Sequence, residues 1–248
     1  MEITNARKRG SGTKTRTPAV PSPIAPAVNV ILASLKKVSS KRTREEMQPR
    51  YGIVTDKALG VAMSAMMRIA KQSRGSSPKW NHELAAVLWK TGWYEARMVA
   101  CMVDEAALVT PAQMDRWCRD FDNWGIVDTV CFKLFDRSPH AWAKVFEWSD
   151  RRDEFQKRAA FALLASVALH DKKSSDDAFE RCLPLIERAA ADNRNFVKKG
   201  VSWALRSMGR RGPALRAAAR RVALRLAESS DATQRWVGKD SLKDLDGK

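Results

Sequence analysis

The chain has 248 residues, a formal net charge of +17 and a hydrophobic fraction of 44%. This length allows an ample core for one large domain or two small ones. No apolar run in the sequence is long enough to cross a bilayer, which excludes a transmembrane protein and predicts no membrane partner.

The cysteines and histidines exclude the common metal and disulfide sites. Four cysteines show no C-x-x-C pairing and lie in apolar helical contexts, so we expect reduced core thiols. The three histidines show no pairing at ligand spacing. We therefore expect neither a metal site nor another cofactor.

The positive charge is concentrated in two segments. Residues 1–50 hold 11 Lys or Arg and 3 acids, a net charge of +8. Residues 192–225 hold 10 Lys or Arg and one acid, a net charge of +9. Such segregation is typical of a protein that binds a phosphate backbone. The alternative is a solubilising tail together with one solvated helix face.

The elements in chain order predict an all-α protein. Residues 1–24 are basic and rich in Pro, Ser, Thr and Gly, which predicts a disordered tail. The remainder, 25–248, forms one folded domain with apolar residues at three- and four-residue spacing. Thr110-Pro111 and Ser138-Pro139 are predicted helix starts, and Asp153 is a predicted cap.

The helices also resemble degenerate repeats. If Arg97, Asp128, Arg158, Lys199 and Arg235 are equivalent positions, the intervals between them are 31, 30, 41 and 36 residues. This range is typical of helical-hairpin solenoids of the HEAT-like kind. We therefore predict an α-solenoid, a superhelical array of HEAT-like helical repeats with a concave basic face that can follow a duplex.

Trp124 and Asp128 are the strongest candidates for chemistry. They stand four residues apart in a predicted helix, so an indole and a carboxylate project from one face. Such a pair suits a cation or a positively charged transition state. The alternative is a core ion pair between Asp128 and a neighbouring helix. The stripe Met63, Met66 and Met67 is predicted to fill the core.

A second candidate face lies in the basic segment. Lys199, Trp203 and Arg206 fall at i, i+4 and i+7 and so share a helical face, with an indole between two cations. This arrangement favours nucleic acid, because the cations bind phosphates while the indole contacts sugar or base. Arg158 occupies the repeat-equivalent position one hairpin after Asp128.

Several stretches, in order, resemble the AlkD-like family of DNA alkylation-repair glycosylases, from about Leu35 to Leu245. The matching stretches are Arg50-Tyr-Gly-Ile53 with Leu59-Gly-Val61, Trp93-Tyr-Glu-Ala-Arg97, Asp122-Asn-Trp-Gly-Ile-Val-Asp128, Lys157-Arg-Ala-Ala160, Asn195-Phe-Val-Lys-Lys199 and Ser202-Trp-Ala-Leu-Arg206.

The resemblance implies roles for particular residues. Asp128, Trp124 and Trp203 match the family's excision site. Arg158 and Tyr51 match further residues of the DNA-binding cleft, and the family's backbone contacts imply phosphate binding by Lys199 and Arg206. The family is described as contacting the DNA backbone at the lesion without a base pocket.

The expected function is that of a monofunctional DNA glycosylase. It would release cationic N3- or N7-alkylated purines from duplex DNA and leave an abasic site for base excision repair. We expect a cytoplasmic, nucleoid-associated monomer without a cofactor. Two alternatives stay open. One is a non-catalytic HEAT-like binder of damaged or branched DNA, and the other is a protein-interaction scaffold whose basic stripe meets an acidic partner.

Overall fold

The computed structural model describes residues 24–247, which form fourteen α-helices and no β-strand. Residues 1–23, which hold nearly all of the predicted tail, and Lys248 lie outside the described residues. None of the helices in 24–247 combines the length and the apolar character needed to cross a bilayer. The helices are α1 (Ile24–Lys37), α2 (Lys41–Tyr51), α3 (Met63–Ser73), α4 (Pro78–Lys90), α5 (Tyr94–Val103), α6 (Pro111–Arg119), α7 (Trp124–Lys133), α8 (Ala141–Ser149), α9 (Glu154–His170), α10 (Asp176–Glu180), α11 (Leu183–Ala189), α12 (Asn195–Gly209), α13 (Pro213–Ala227) and α14 (Ala232–Leu245).

The helices form two layers, as a solenoid of helical hairpins requires. In the inner layer α3, α5, α7, α9, α12 and α14 pack side by side in chain order. The outer layer backs them, with α4 against α5, α8 against α9 and α13 against α14. The central helix α9 is buried from Arg158 to Ala168, because it is covered by α7, α8 and α12. The array is therefore held together by neighbour-to-neighbour contacts.

The predicted repeat register agrees with the inner layer. Arg97, Asp128, Arg158, Lys199 and Arg235 lie at the fourth or fifth residue of α5, α7, α9, α12 and α14. Each predicted equivalent position thus falls on the second helix of a successive hairpin. The register places these side chains near the beginning of adjacent inner helices, at one end of the layer.

The helix starts were predicted correctly in two of three cases. Thr110 caps α6 and Asp153 caps α9, and the side chain of each accepts backbone N–H groups of the first turn. The predicted start at Ser138 is wrong, because α8 begins at Ala141. A short 3-10 turn at Phe135–Arg137 precedes Ser138, whose hydroxyl accepts the amide of His140 in the following turn.

The loop between α2 and α3 is fixed by the buried carboxylate of Glu95 on α5. Its oxygens accept the N–H groups of Leu59, Gly60 and Val61 at 2.7–3.3 Å. Gly60 has φ 75, and a Cβ there would lie 2.3 Å from the carbonyl oxygen of Ser40. Only glycine fits this close approach. The loop therefore holds α2 at a fixed position beside α3 and α5.

Candidate active site

The first two turns of α7 form the centre of the site. Asn123 is buried and caps the helix, because its side-chain oxygen accepts the N–H of Ile126 at 3.0 Å. Trp124 is the first residue of α7, and Asp128 follows one turn later. The prediction that these two side chains share a helix is confirmed.

Asp128 is bound by Arg158 from the neighbouring inner helix α9. Arg158 Nε donates to Oδ1 at 2.9 Å and Nη2 donates to Oδ2 at 2.7 Å. Arg158 Nη1 donates to the carbonyl oxygen of Phe196 at 2.7 Å. The two parallel bonds fix the plane of the carboxylate. The ion pair between helices, which the sequence left as an alternative explanation for Asp128, is therefore present.

The pair still leaves Asp128 open to the cleft. The Asp128 side chain is 21% exposed and that of Arg158 is 8% exposed. A carboxylate has acceptor capacity for about four hydrogen bonds, and Arg158 uses two. Burial raises the pKa of Asp128, and the charge and hydrogen bonds of Arg158 act in the opposite direction. Asp128 can therefore accept a further hydrogen bond from the cleft.

Trp124 joins α7 to the end of α2. Its Nε1–H donates to the carbonyl oxygen of Tyr51 at 2.7 Å. Gly52 ends α2 with φ 64, which turns the chain so that this carbonyl remains available. The Tyr51 side chain itself is 45% exposed. The indole is thereby locked in place, and both Trp124 and Tyr51 line two separate cavities of the cleft.

The first of these, the cationic cavity, has a volume of about 500 Å³. Arg50, Arg158 and Lys199 contribute its charge, and Tyr51 and Trp124 contribute its aromatic surface. Lys199 is exposed, and its side chain has no hydrogen-bond or ion-pair partner within residues 24–247. The cavity therefore suits an anionic group, and Lys199 is the cation most available to it.

Trp203 lines a shallower cavity of about 270 Å³ that also contains Asp128. Met63, Met67 and Phe132 complete its apolar surface. Trp203 is partly exposed on α12, and Lys199 and Arg206 lie on the same helix, as predicted. Asp128 thus opens on adjoining cavities, one shared with Trp124 and one shared with Trp203.

The three cations that were predicted to bind DNA, Arg158, Lys199 and Arg206, differ in how far other side chains already bind them. Arg206 lies 3.7 Å from a carboxylate oxygen of Asp244 and donates to the carbonyl oxygen of Ser202 at 3.3 Å. Arg158 is occupied by Asp128. Lys199 alone of these three has no partner in the described part of the chain. A role of Arg158 and Arg206 in binding DNA stays a prediction.

The assignment of the methionine stripe to the core is wrong for two of its members. Met66 is 2% exposed, as predicted, but Met63 and Met67 are 41% and 47% exposed and face the cleft. Met63 and Met67 stand four residues apart on α3 and share one helix face, whereas Met66 points inward. This spacing could have shown that the three methionines do not all face the core. Tyr94, which also lines the cleft, was given no role, although it lies in the matching stretch Trp93-Tyr-Glu-Ala-Arg97.

The fold and the site together define a HEAT-like repeat protein with a carboxylate and two tryptophans in its concave cleft. A family model described as DNA alkylation repair enzyme matches residues 31–244, and the chain belongs to this family. The resemblance in the sequence is therefore confirmed. No match to a curated protein was found.

A solved structure supports the fold. It is described as a new family of proteins related to the HEAT-like repeat DNA glycosylases with affinity for branched DNA structures. It superimposes with a TM-score of 0.70 at 18% sequence identity, over 88% of this chain and 95% of that chain. The predicted superhelical HEAT-like array is thereby confirmed.

Proposed function

We propose that this protein is a monofunctional DNA glycosylase that hydrolyses the N-glycosidic bond of cationic N3- or N7-alkylated purines in duplex DNA. It leaves an abasic site, as the first step of base excision repair. The observation that supports this function best is the carboxylate of Asp128, oriented by Arg158 and open to a cleft that also holds Trp124 and Trp203.

The chemistry follows from the charge on the substrate. Alkylation at N3 or N7 makes the purine cationic, and the bond to C1′ breaks when its electron pair moves to the base. The base leaves neutral, and the positive charge remains on an oxocarbenium-like sugar. Asp128 stabilises this charge, orients a water towards C1′ and accepts its proton as the new C–O bond forms.

The two tryptophans complete the site around the sugar. The faces of Trp124 and Trp203 carry negative electrostatic potential and tolerate the developing charge. The hydrogen bond from Trp124 to Tyr51 holds one indole rigid, so little reorganisation is needed when the charge develops. Arg158 opposes the effect of burial on the pKa of Asp128 and orients its carboxylate.

DNA binding rests on the cationic cavity and on Arg206, which lies outside this cavity on α12. Lys199 and Arg206 contact phosphates, with Arg158 and Tyr51 nearer the lesion, and the protein acts on duplex DNA as a monomer associated with the nucleoid. No organic cofactor or metal takes part in the proposed reaction.

The absence of lyase chemistry is part of the proposal. A lysine acting through a Schiff base needs a lowered pKa in a desolvated site. Lys144, the buried lysine among the described residues, is bound by Asp115 and Glu147 at 2.6 Å each, and these carboxylates raise its pKa. It therefore stays protonated and is no nucleophile.

The test is the release of 7-methylguanine and 3-methyladenine from methylated duplex DNA. We expect release by the wild-type protein and its loss in Asp128→Asn, with DNA affinity retained. Asp136→Asn is the matched control, because Asp136 is also buried and is bound by His170 away from the cleft. No release by the wild type, or equal release by Asp128→Asn, would contradict the proposal.

A second candidate is a non-catalytic binder of branched DNA. It is favoured by the engagement of both Asp128 oxygens by Arg158, which is what a purely structural ion pair also shows. The solved structure reported above is described as having affinity for branched DNA. This candidate predicts tight, salt-sensitive binding to a four-way junction that survives Asp128→Asn, without base release by either protein.

A further inference from the structure

A cavity of about 390 Å³ lies between the last turns of α3, α5 and α7, and none of the roles assigned above involves it. We call it the helix-end cavity. Four cations line it, namely Lys71, Arg74, Lys133 and Arg137. The active site proposed above uses none of these four side chains, so their convergence on one cavity requires an explanation of its own.

The helix-end cavity is continuous with the candidate active site. Met67 and Lys133 line both this cavity and the shallower cavity that contains Asp128. Along α3, the exposed Met63 and Met67 are followed at the same four-residue spacing by Lys71. Along α7, Asp128 is followed five residues later by Lys133. Both walls of the cleft therefore become cationic in the same direction, away from Asp128.

Two of the four cations already have partners in the protein. Arg74 donates to the carboxylate of Glu105, and also to the carbonyl oxygen of Met102 at 3.3 Å. Arg137 Nε lies 3.7 Å from a carboxylate oxygen of the buried Asp136. The charges of these two arginines are therefore offset, wholly or in part, by acids of the chain itself.

The ammonium groups of Lys71 and Lys133 have no hydrogen-bond or ion-pair partner within residues 24–247. Lys133 Nζ lies 5.1 Å from the ring centroid of Phe132, a contact that leaves its N–H groups free to donate. The remaining carboxylate of the wall, Asp104, is buried and accepts from Gln113 Nε2 at 2.7 Å. Two cations at the end of the cleft are therefore available to an anion from outside the protein.

The position of these lysines matches the spacing of the two backbones of a duplex. Five residues of a helix span about 7.5 Å along its axis, which is the offset of Lys133 from Asp128. The minor groove of B-DNA is about 6 Å wide. The cationic cavity, which holds Lys199, shares no lining residue with the helix-end cavity. Free cations thus lie in two separate places around Asp128, which suits two backbones rather than one phosphate.

We propose that the helix-end cavity binds a phosphate of the DNA strand opposite the lesion, through the ammonium groups of Lys71 and Lys133. The proposal rests on the DNA-binding part of the proposed function and adds the second strand to it. The lesion strand is held at Asp128 and by Lys199, and the opposite strand is held at the helix-end cavity. A single strand would leave this cavity empty, so the two lysines give the protein a preference for duplex DNA.

The test measures affinity by fluorescence anisotropy for a duplex with one tetrahydrofuran abasic site. Methylphosphonate linkages, which are uncharged, replace the phosphates one at a time along the opposite strand. We expect one or two adjacent replacements to weaken binding by the wild type about two- to fivefold. The same replacements should leave the affinity of the double variant Lys71→Gln, Lys133→Gln unchanged. That variant should also lose about 0.9 of the slope of log K against log salt for duplex DNA.

The matched control is the double variant Lys37→Gln, Lys90→Gln. Lys71 and Lys133 lie in the last turns of their helices, where a cation also compensates the helix dipole. Lys37 and Lys90 are likewise exposed in the last turns of α1 and α4, but line none of the cavities named above. The control loses the same charge, and should bind each duplex and respond to each methylphosphonate as the wild type does.

The outcomes separate this proposal from the proposed function, because the binding measurement requires no base release. Methylphosphonate effects that are equal in the wild type and in Lys71→Gln, Lys133→Gln overturn the site, even if the wild type releases alkylated bases. Coupling of the two lysines to a phosphate of the lesion strand instead also overturns it, as does a wild type that does not bind the duplex. Coupling to the opposite strand, without base release by the wild type, supports the site and refutes the glycosylase.

Discussion

Two aspartate–arginine pairs in this protein use the same contacts in different surroundings. Asp128 is bound by Arg158 through two hydrogen bonds at the cleft. Asp192 is bound in the same way by Arg194 at 2.8 and 2.5 Å, in the turn before α12, and Lys157 adds a third contact at 3.2 Å. The pKa of Asp192 is lowered to about 2, mainly by its hydrogen bond with Arg194, whereas burial raises the pKa of Asp128.

The difference shows that the environment sets the pKa as much as the partner does. Asp192 has two cations and the backbone N–H of Arg194, near the surface. Asp128 has one cation and is enclosed by the inner helices except towards the cleft. Burial therefore outweighs Arg158 in its effect on the pKa of Asp128, and carboxyl groups perturbed in this way cluster at functional sites. Asp192 stabilises the fold, whereas the catalytic role of Asp128 is our proposal.

The largest expected effect is that of removing Arg158. Arg158→Met leaves the Asp128 carboxylate buried without its cation, and should destabilise the protein by about 3–5 kcal/mol in urea denaturation. The double variant Asp128→Leu, Arg158→Met should recover most of this loss, because no unpaired charge remains. A larger loss of stability for Arg194→Met than for Arg158→Met would contradict the view that the Asp128–Arg158 pair is the more deeply buried of the two.

Asp192→Asn should have a smaller effect that depends on pH. The folded pKa of about 2 lies below the ordinary aspartate pKa of 3.8, so the ion pair contributes stability above pH 4 and loses it as the pH falls towards 2. The shift corresponds to about 2 kcal/mol at neutral pH. Denaturation of the wild type and of Asp192→Asn between pH 7 and pH 3 measures the difference in their free energies of unfolding. A difference that stays constant over this range would contradict the lowered pKa of Asp192.

The pH dependence of excision should follow Asp128 rather than Asp192. Because burial raises the pKa of Asp128, excision should fall by about tenfold per pH unit below that pKa, before Asp192 is protonated. A raised carboxyl pKa means that protonation favours the fold, so unfolding does not explain the loss. Circular dichroism over the same range is the control. Activity that persists down to the pKa of Asp192 would contradict this order.

The smallest effect distinguishes free from paired cations. Lys199→Gln should reduce the slope of log K against log salt by about 0.9 for duplex DNA, because one phosphate contact is lost. Arg206→Gln should change the slope less, since Asp244 already lies 3.7 Å from its guanidinium. Fluorescence anisotropy at several salt concentrations measures both slopes, and a larger effect of Arg206→Gln would show that Asp244 releases it.

Much of the fold could be predicted from the sequence because its signals are local. Helical spacing placed Trp124 with Asp128 and Lys199 with Trp203, and both pairs lie on single helices. The repeat intervals placed five equivalent positions on successive inner helices. Helix formation and hairpin stacking depend on periodicity within short windows, which one sequence displays.

The parts that could not be predicted depend on which distant segments meet. The sequence offered a core ion pair for Asp128 without naming Arg158 as its partner, because the pair forms only when α7 and α9 pack. The exposure of Met63 and the approach of Tyr94 to Gly125 depend on the gap between α2, α3, α5 and α7. A cavity has no sequence pattern, since it is defined by what the packed helices leave unfilled.

The most direct test of the central claim is the single-turnover release of 7-methylguanine from a duplex with one methylated site, at saturating protein. Saturation removes differences in DNA binding from the comparison of wild type and Asp128→Asn. We predict release by the wild type and a rate about 100- to 1,000-fold lower in Asp128→Asn, with an unchanged half-saturating concentration. Equal rates, or no release by the wild type despite saturated binding, would contradict a catalytic role for Asp128.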